Sequence, residues 1–424
     1  MNITRVKSLS GTVRVPGDKS ISHRGVMLGA LAKGQTEIQG FLMGADCLST
    51  IECFRKLGVK INLYSDTVVV NGLGLRGLRP PIHTLDVGNS GTTTRLMSGI
   101  LAAQQFTSKL DGDASIRKRP MNRVILPLSE MGADITSDGG NGCAPLTING
   151  RPLHGISYTS PVASAQVKSA ILFAGLYADG DTAVTEPYVS RNHTELMLKN
   201  FGANIRVLGK TVTVSPAEEL YGQTVTVPGD ISSAAYFMVA AAITPNSEIT
   251  VKNVGINPTR AGIIDVMKEM GADIKVEENT RADGEPSADI TVKSSALHGI
   301  TIGGETIPTL IDEIPALAVL ACFAEGTTVI RDAEELKVKE SNRIDIMVKN
   351  LAAMGADIEA TEDGMIIHGG KELHGAVVDS VKDHRVAMSM AVAAMNADGE
   401  TDLIDAHCVK ISYPHFYEDM QRLT

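Results

Sequence analysis

Tryptophan is absent from the 424-residue chain and aromatic residues make up only 4% of it. The interior must therefore be filled by aliphatic side chains, alanine and 17 methionines rather than by rings. Cysteine is scarce too: Cys47, Cys53, Cys143, Cys322 and Cys408 are odd in number and scattered, with no Cys-x-x-Cys pair and no histidine at metal-ligand spacing. They read as reduced, packed thiols, and neither a disulfide framework nor a zinc site is expected. Long apolar runs are missing as well. The longest, near residues 234–243 and 314–324, fall well short of the ~18 residues a bilayer requires, and residues 1–11 contain no apolar segment of the kind that directs export. The expectation is a cytoplasmic protein. Positive charge is in deficit, with 39 Lys and Arg against 49 Asp and Glu for a net charge of −10, which argues against a general binder of nucleic acid or anionic membrane. An anionic substrate would then need a locally basic site. What is present, 43% hydrophobic and 21% charged residues over a length suited to two or three domains, is a globular composition and excludes a disordered or fibrous chain.

Self-similarity organises the chain. Leu57-Gly58-Val59-Lys60-Ile61 is followed by Met131-Gly132-Ala133-Asp134-Ile135, Phe201-Gly202-Ala203-Asn204-Ile205, Met270-Gly271-Ala272-Asp273-Ile274 and Met354-Gly355-Ala356-Asp357-Ile358. Each reads as a helix stopped by a glycine and followed at once by a strand. A spacing of about 70 residues divides the chain into six units. The sixth helix, near residues 413–423, has no following chain to supply its strand, so the strand at residues 2–7 is expected to complete that unit. A longer repeat pairs Val15-Pro16-Gly17-Asp18-Lys19-Ser20 with Val227-Pro228-Gly229-Asp230-Ile231-Ser232, half the chain apart. Both copies turn at Pro-Gly and open an Ala/Met-rich helix at a Ser or Asp cap. The pattern predicts two similar α/β domains of three units each. One is discontinuous, residues 1–15 plus 230–424, and one is continuous, residues 16–229. Helices such as 233–243 and 316–323 are apolar on nearly every face and are expected inside each domain, with the sheets outside.

One motif misleads. Gly72-Leu73-Gly74-Leu75-Arg76-Gly77 matches G-x-G-x-x-G, but Leu-Arg-Pro-Pro follows where a dinucleotide fingerprint must open a helix, so no nucleotide is expected there. The basic residues instead cluster at helix starts. Lys19 opens a helix with Arg24 a turn inside; Gly88-Asn89-Ser90-Gly91-Thr92-Thr93-Thr94-Arg95 is a Gly/Ser/Thr loop feeding another, with Gly91 in the loop and backbone N–H groups available to an anion. Arg117-Lys118-Arg119-Pro120 concentrates three cations, and Asp383-His384-Arg385 and Lys410 add more. Lys339 and Arg343, four apart, are expected on one helical face with Glu340 between them. In an acidic protein this adds up to a site for more than one anionic group.

These segments, together with Arg-Lys-Arg-Pro-Met, Ser164-Ala165-Gln166-Val167-Lys168-Ser169-Ala170, Ser190-Arg191-Asn192-His193-Thr194-Glu195 and Val338-Lys339-Glu340-Ser341-Asn342-Arg343, resemble the 5-enolpyruvylshikimate-3-phosphate synthase family of enolpyruvyl transferases, in order from Val15 to Lys410. The resemblance implies an α/β fold of two similar domains, each an inside-out α/β barrel, with the active site in the interdomain cleft. It implies transfer of enolpyruvyl from phosphoenolpyruvate to the 5-hydroxyl of shikimate 3-phosphate, on the route to chorismate and the aromatic amino acids. It further implies no metal and no organic cofactor, two small-molecule substrates as the only partners, no nucleic acid or membrane, a monomer, and inhibition by glyphosate. By motif position Lys19 touches both substrates. Ser20, Arg24, Ser164, Gln166, Arg191, Asp312 and Lys339 hold shikimate 3-phosphate; Gly91, Arg119, Gln166, Arg343, Arg385 and Lys410 hold phosphoenolpyruvate. Asp312 rests on its spacing, 27 residues before Lys339. Ala165, Arg191 and Glu335 depart from some members, which carry serine, tyrosine and asparagine there, and resemble a subgroup typical of Gram-positive bacteria.

The residue types fit that chemistry. Addition of a hydroxyl to the enol carbon needs one proton delivered to the methylene and one removed from the hydroxyl, roles open to Glu340 and to Asp312 with Lys19. Arginine suits two anionic substrates because its fork matches phosphate and carboxylate. Two alternatives stand beside this one. The related transferase acting on UDP-N-acetylglucosamine carries a cysteine five residues before its Arg-Pro arginine, where this chain has Ala114. A noncatalytic member of the same fold would not need Lys19, Asp312, Glu340, Arg343 and Arg385 all intact.

Overall fold

Why the same short signature recurs is plain from the backbone. Gly58, Gly132, Gly202, Gly271 and Gly355 all adopt φ between +92° and +98°, directly after the helices Ala45–Lys56, Asn122–Glu130, His193–Asn200, Gly262–Glu269 and Arg343–Ala353. A left-handed residue just past a helix end satisfies the last carbonyls, and glycine takes that conformation without a Cβ clash. The chain then enters the strands Lys60–Tyr64, Asp134–Ser137, Ile205–Leu208, Asp273–Asn279 and Asp357–Ala360.

The computed structural model describes residues 1–279 and 285–424. The chain forms two compact units, one of Gly17–Val227 and one of Met1–Pro16 with Pro228–Thr424. Among the described residues one cycle of a buried helix, a strand, a half-buried helix, the glycine stop and a hairpin runs three times in Gly17–Val227 and twice in the other unit, whose third buried helix and strand lead only to the helix Phe416–Gln421. In Gly17–Val227 the buried helices are Lys19–Leu31, Gly91–Ala102 and Ala165–Gly175; in the other unit they are Ile231–Ile243, Ile314–Cys322 and His384–Ala394. Every residue of Ile314–Cys322 and of His384–Ala394 is buried, as an all-round apolar sequence such as Ile-Pro-Ala-Leu-Ala-Val-Leu-Ala-Cys demands. Sheets surround these helices. No helix among the described residues is long and apolar enough to cross a membrane.

Among the described residues, five of the six sheets have four strands in one topology, exemplified by Ser157–Thr159, Thr182–Thr185, Thr211–Val214 and Ile205–Leu208 in spatial order. The first pair is parallel and the other two are antiparallel, with Ser157 beside Ala183, Thr182 opposite Val214 and Ile205 opposite Val214. The sixth sheet has three strands, in which Asn2–Thr4 pairs antiparallel with Glu400–Ile404, and this unit's last described helix is Phe416–Gln421. Both elements are shorter than their sequences suggest. The last helix is secured by ring packing: Phe416 lies 5.9 Å from Tyr236, 5.8 Å from Phe237 and 5.6 Å from Tyr413, centroid to centroid and edge to face. The strands before the two Val-Pro-Gly-Asp turns stay in their own units. Ser10–Val13 pairs in parallel with Glu248–Gly255, and Thr224–Thr226 with Lys33–Gln39. Gly72 lies within the strand Thr67–Leu73, and Gly74 turns at φ +79° with no helix after it, as a non-nucleotide loop should.

Candidate active site

Asp18, Ser90 and Ser164 cap the three buried helices of Gly17–Val227, accepting from the N–H groups of Ile21, Thr93 and Val167 at 2.8, 3.1 and 3.5 Å. Their starts share one end of the unit. Arg95 Nη1 donates to Gln166 Oε1 at 2.6 Å, and a Cβ on Gly99 would fall 2.0 Å from the Ala170 carbonyl oxygen, so contacts advance by equal steps along Gly91–Ala102 and Ala165–Gly175. Arg24 Nη2 reaches Ser169 Oγ at 2.8 Å from the third helix. Three parallel helices thus turn their positive ends the same way, a setting that favours an anion.

The sequence-predicted residues sit at that end. Lys19 is the first helical residue, with Nζ 2.9 Å from Asp46 Oδ2. Arg24 is buried, donating from Nε to Thr194 Oγ1 at 2.6 Å and from Nη1 to the Ser20 carbonyl at 3.0 Å. Gln166, with Oε1 occupied by Arg95, donates through Nε2 to Thr92 Oγ1 at 3.0 Å. Ser164 is buried, and Arg191 is half-buried in the turn before His193–Asn200. Gly91 is not in a loop, as expected, but is the first residue of its helix because Ser90 takes the cap. A Cβ there would lie 2.8 Å from the guanidinium of Arg119, which itself bonds the Asn89 carbonyl at 3.3 Å.

In the other unit the constellation centres on Arg343, one of the largest fully buried side chains. Its Nε donates to Asp383 Oδ2 at 2.9 Å, Nη2 to Glu340 Oε2 at 2.5 Å and Nη1 to Asp312 Oδ1 at 3.4 Å. Burial works against the charged guanidinium, yet Asp383 and Glu340 hold its pKa above the ordinary arginine value. Arg385 follows the same logic: desolvation opposes its charge, and Asp312, Tyr236 and Glu313 outweigh it. Burial alone would raise the Asp383 carboxyl, but Arg343 keeps it below the usual range. Asp312 collects three cations, with Arg343 at 3.4 Å and Lys339 and Arg385 each at 3.8 Å. The helical face expected for Lys339 and Arg343 does not exist. Residues Glu334–Val338 form a 3₁₀ turn, Lys339 is extended, and the helix begins only at Arg343, capped by Asn342. The shared carboxylate of Asp312, not helical spacing, brings the two cations together. Lys410 stands on the 3₁₀ segment Ala406–Ile411, exposed, and no hydrogen bond or ion pair among the described residues joins it to this network.

Sequence reasoning missed the residues that hold these ligands: Asp46 behind Lys19, Asp383 as the buried counter-charge of Arg343, and Arg260, which ion-pairs with Glu313 at 2.7 Å. Asp383 and Glu195 stand inside basic motifs, but nothing in those motifs marks the buried cation each one meets, Arg343 for Asp383 and Lys168 for Glu195. A hydroxyl chain was also missed. His23 Nδ1 meets Thr50 Oγ1 at 2.7 Å, Thr50 meets Thr93 at 2.7 Å, and Thr93 donates to the cap Ser90 Oγ at 2.7 Å. Burial lowers the His23 pKa to about 3, with Asp46 pulling the other way, so the imidazole is neutral when folded and titrates near 6.5 when unfolded. The unfolded chain therefore binds the extra proton between those values, and stability present above pH ~6.5 is lost as pH falls, by up to about 1.4 kcal/mol per pH unit. Melting at pH 7 and pH 5 should show a smaller acid-induced drop for His23→Asn than for wild type; equal drops would contradict a neutral buried imidazole.

The family model for EPSP synthase (3-phosphoshikimate 1-carboxyvinyltransferase) matches residues 3–420. The chain is 58% identical over 422 residues to the 3-phosphoshikimate 1-carboxyvinyltransferase of Geobacillus thermodenitrificans, covering 99% of this chain and 98% of that one. It is 58% identical over 423 residues to the protein of the same name from a Thermoanaerobacter species, with 100% of both chains covered. Among solved structures, an EPSP synthase from Acinetobacter baumannii superposes with a TM-score of 0.89 at 46% identity, over 100% of this chain and 97% of that one. Buried helices inside sheets, helix starts lined with cations and an end-to-end match agree: the chain belongs to the EPSP synthase (3-phosphoshikimate 1-carboxyvinyltransferase) family.

Proposed function

We propose that this chain transfers the carboxyvinyl group of phosphoenolpyruvate to the 5-hydroxyl of shikimate 3-phosphate, releasing inorganic phosphate. The observation that carries the reading is the Asp312–Glu340–Arg343–Arg385 cluster, in which buried guanidinium groups are held charged beside two carboxylates suited to proton transfer. In the addition step the 5-hydroxyl oxygen bonds to C2 of phosphoenolpyruvate, its proton passing to Asp312 or Lys19, while Glu340 gives a proton to C3. In elimination the C2–O bond to phosphate breaks, phosphate leaves with the electron pair, and C3 returns a proton. No electrons are exchanged with a third partner.

Arg119, Arg343, Arg385 and Lys410 serve as ligands of phosphoenolpyruvate, with Gly91 allowing close approach. Ser20, Arg24, Ser164, Arg191 and Lys339 serve shikimate 3-phosphate, and Lys19, Gln166 and Asp312 act where the two react. The ion pair of Glu340 with Arg343 at 2.5 Å supports a specific timing. An anionic ligand that takes over Arg343 leaves Glu340 facing negative charge, the condition under which a carboxyl group takes up a proton. We further assign residues 16–229 and the remainder to two domains of a cytoplasmic monomer. Phosphate release with shikimate 3-phosphate, shikimate and UDP-N-acetylglucosamine as rival acceptors tests the reading; release with the UDP-sugar alone would replace it.

A further inference from the structure

Lys168 lies on the buried helix Ala165–Gly175 with 1% of its side chain exposed, between Glu186 and Glu195, which are 3% and 4% exposed. Its Nζ is 2.9 Å from Glu186 Oε2 and 2.7 Å from Glu195 Oε1, and it donates to the Ser190 carbonyl at 3.3 Å. Glu186 spends both oxygens on backbone. Oε1 accepts the Ser164 N–H at 2.9 Å; Oε2 accepts the Ser190 N–H at 3.3 Å and the Ser190 hydroxyl at 2.9 Å. One carboxylate thus ties the residue that caps Ala165–Gly175 to the turn carrying Arg191. Glu195 fixes the start of His193–Asn200, where the adjacent Thr194 accepts from Arg24 Nε at 2.6 Å.

Burying one ammonium with two carboxylates is a poor way to gain stability, because desolvating three charges costs several kcal/mol per ion and apolar residues of like volume often do as well. What the triad supplies is geometry. We propose that Lys168, Glu186 and Glu195 are positioning residues for shikimate 3-phosphate: they touch no reacting atom, and they set Ser164, Arg191 and Arg24 in one register for the phosphorylated acceptor. This rests on the function proposed above. It separates from the phosphoenolpyruvate ligands, none of which bonds to the triad among the described residues.

Lys168→Met, Glu186→Gln and the milder Glu195→Gln would be compared with wild type by thermal melting, steady-state kinetics with each substrate varied at saturation of the other, and calorimetry with shikimate 3-phosphate. Misplacing ligands by about an ångström costs up to ~10²-fold. Lys168→Met and Glu186→Gln should therefore raise the KM and Kd for shikimate 3-phosphate roughly tenfold or more, with the KM for phosphoenolpyruvate within about twofold, and Glu195→Gln should shift the same way by less. Folded variants in which both KM values move by one factor, or neither moves, would overturn the positioning role, as would failure of all three to fold, which would leave the triad with stability alone. A wild type that releases no phosphate from this substrate pair would instead overturn the reading of function.

Discussion

Glu340→Gln is expected to lower turnover by about 10²–10⁴-fold, the usual cost of losing a general acid-base group, while affinity for shikimate 3-phosphate stays within about threefold of wild type. Glutamine keeps the shape and can still accept from Arg343 Nη2, now 2.5 Å from Glu340 Oε2, but it cannot carry a proton to C3. Arg343 retains Asp383 at 2.9 Å and Asp312 at 3.4 Å, so the buried guanidinium keeps two carboxylates and the fold should hold. Single-turnover measurement separates the outcomes: slow product formation at near-native affinity places Glu340 in proton transfer. Near-native turnover removes it from the mechanism.

Gly91→Ala should discriminate between two anions of different length. The backbone at Gly91 is ordinary helix, so no left-handed strain arises. The added Cβ meets the Arg119 guanidinium at 2.8 Å, a distance at which the flexible end of the arginine must shift. The mutation therefore acts on a phosphoenolpyruvate ligand twice, by filling space beside the helix start and by moving Arg119. Overpacking costs ~1–3 kcal/mol, roughly a 5- to 150-fold loss, and the ligand with less slack loses more. Glyphosate, longer than phosphoenolpyruvate, should see its inhibition constant rise more than the KM for phosphoenolpyruvate, with melting temperature nearly unchanged. A constant ratio of the two quantities in wild type and variant would contradict the steric account.

Much of the fold was legible because it is written in a local signal repeated five times. A glycine with φ near +95° after a helix is a sequence-local event, and so is the Val-Pro-Gly-Asp turn before a capped, all-apolar helix. A strand at residues 2–7 was likewise expected to complete the sixth unit, and the strand Asn2–Thr4 does join that unit's sheet, beside Glu400–Ile404. The error at Lys339 and Arg343 has a physical cause. Four-residue spacing was read as helix, but Ser341 and Asn342 favour a cap: Ser341 donates to Asp383 at 2.9 Å and Asn342 accepts from the Asp345 N–H, delaying the helix to Arg343. The carboxylates were illegible for a different reason. Asp46, Glu186 and Asp383 pair with cations 27, 18 and 40 residues away, a relation fixed by helix packing and carried by no local pattern.

The central claim, transfer of a carboxyvinyl group between two anionic small molecules at the Asp312–Arg343 cluster, is tested most directly by following phosphate release and product mass together. Purified chain would be supplied with phosphoenolpyruvate and shikimate 3-phosphate, and separately with phosphoenolpyruvate and UDP-N-acetylglucosamine. The account predicts one phosphate per enolpyruvyl ether formed on shikimate 3-phosphate, none on the UDP-sugar, and no added metal or cofactor needed. Phosphate release without that ether, or an ether formed on the UDP-sugar in its place, would contradict it.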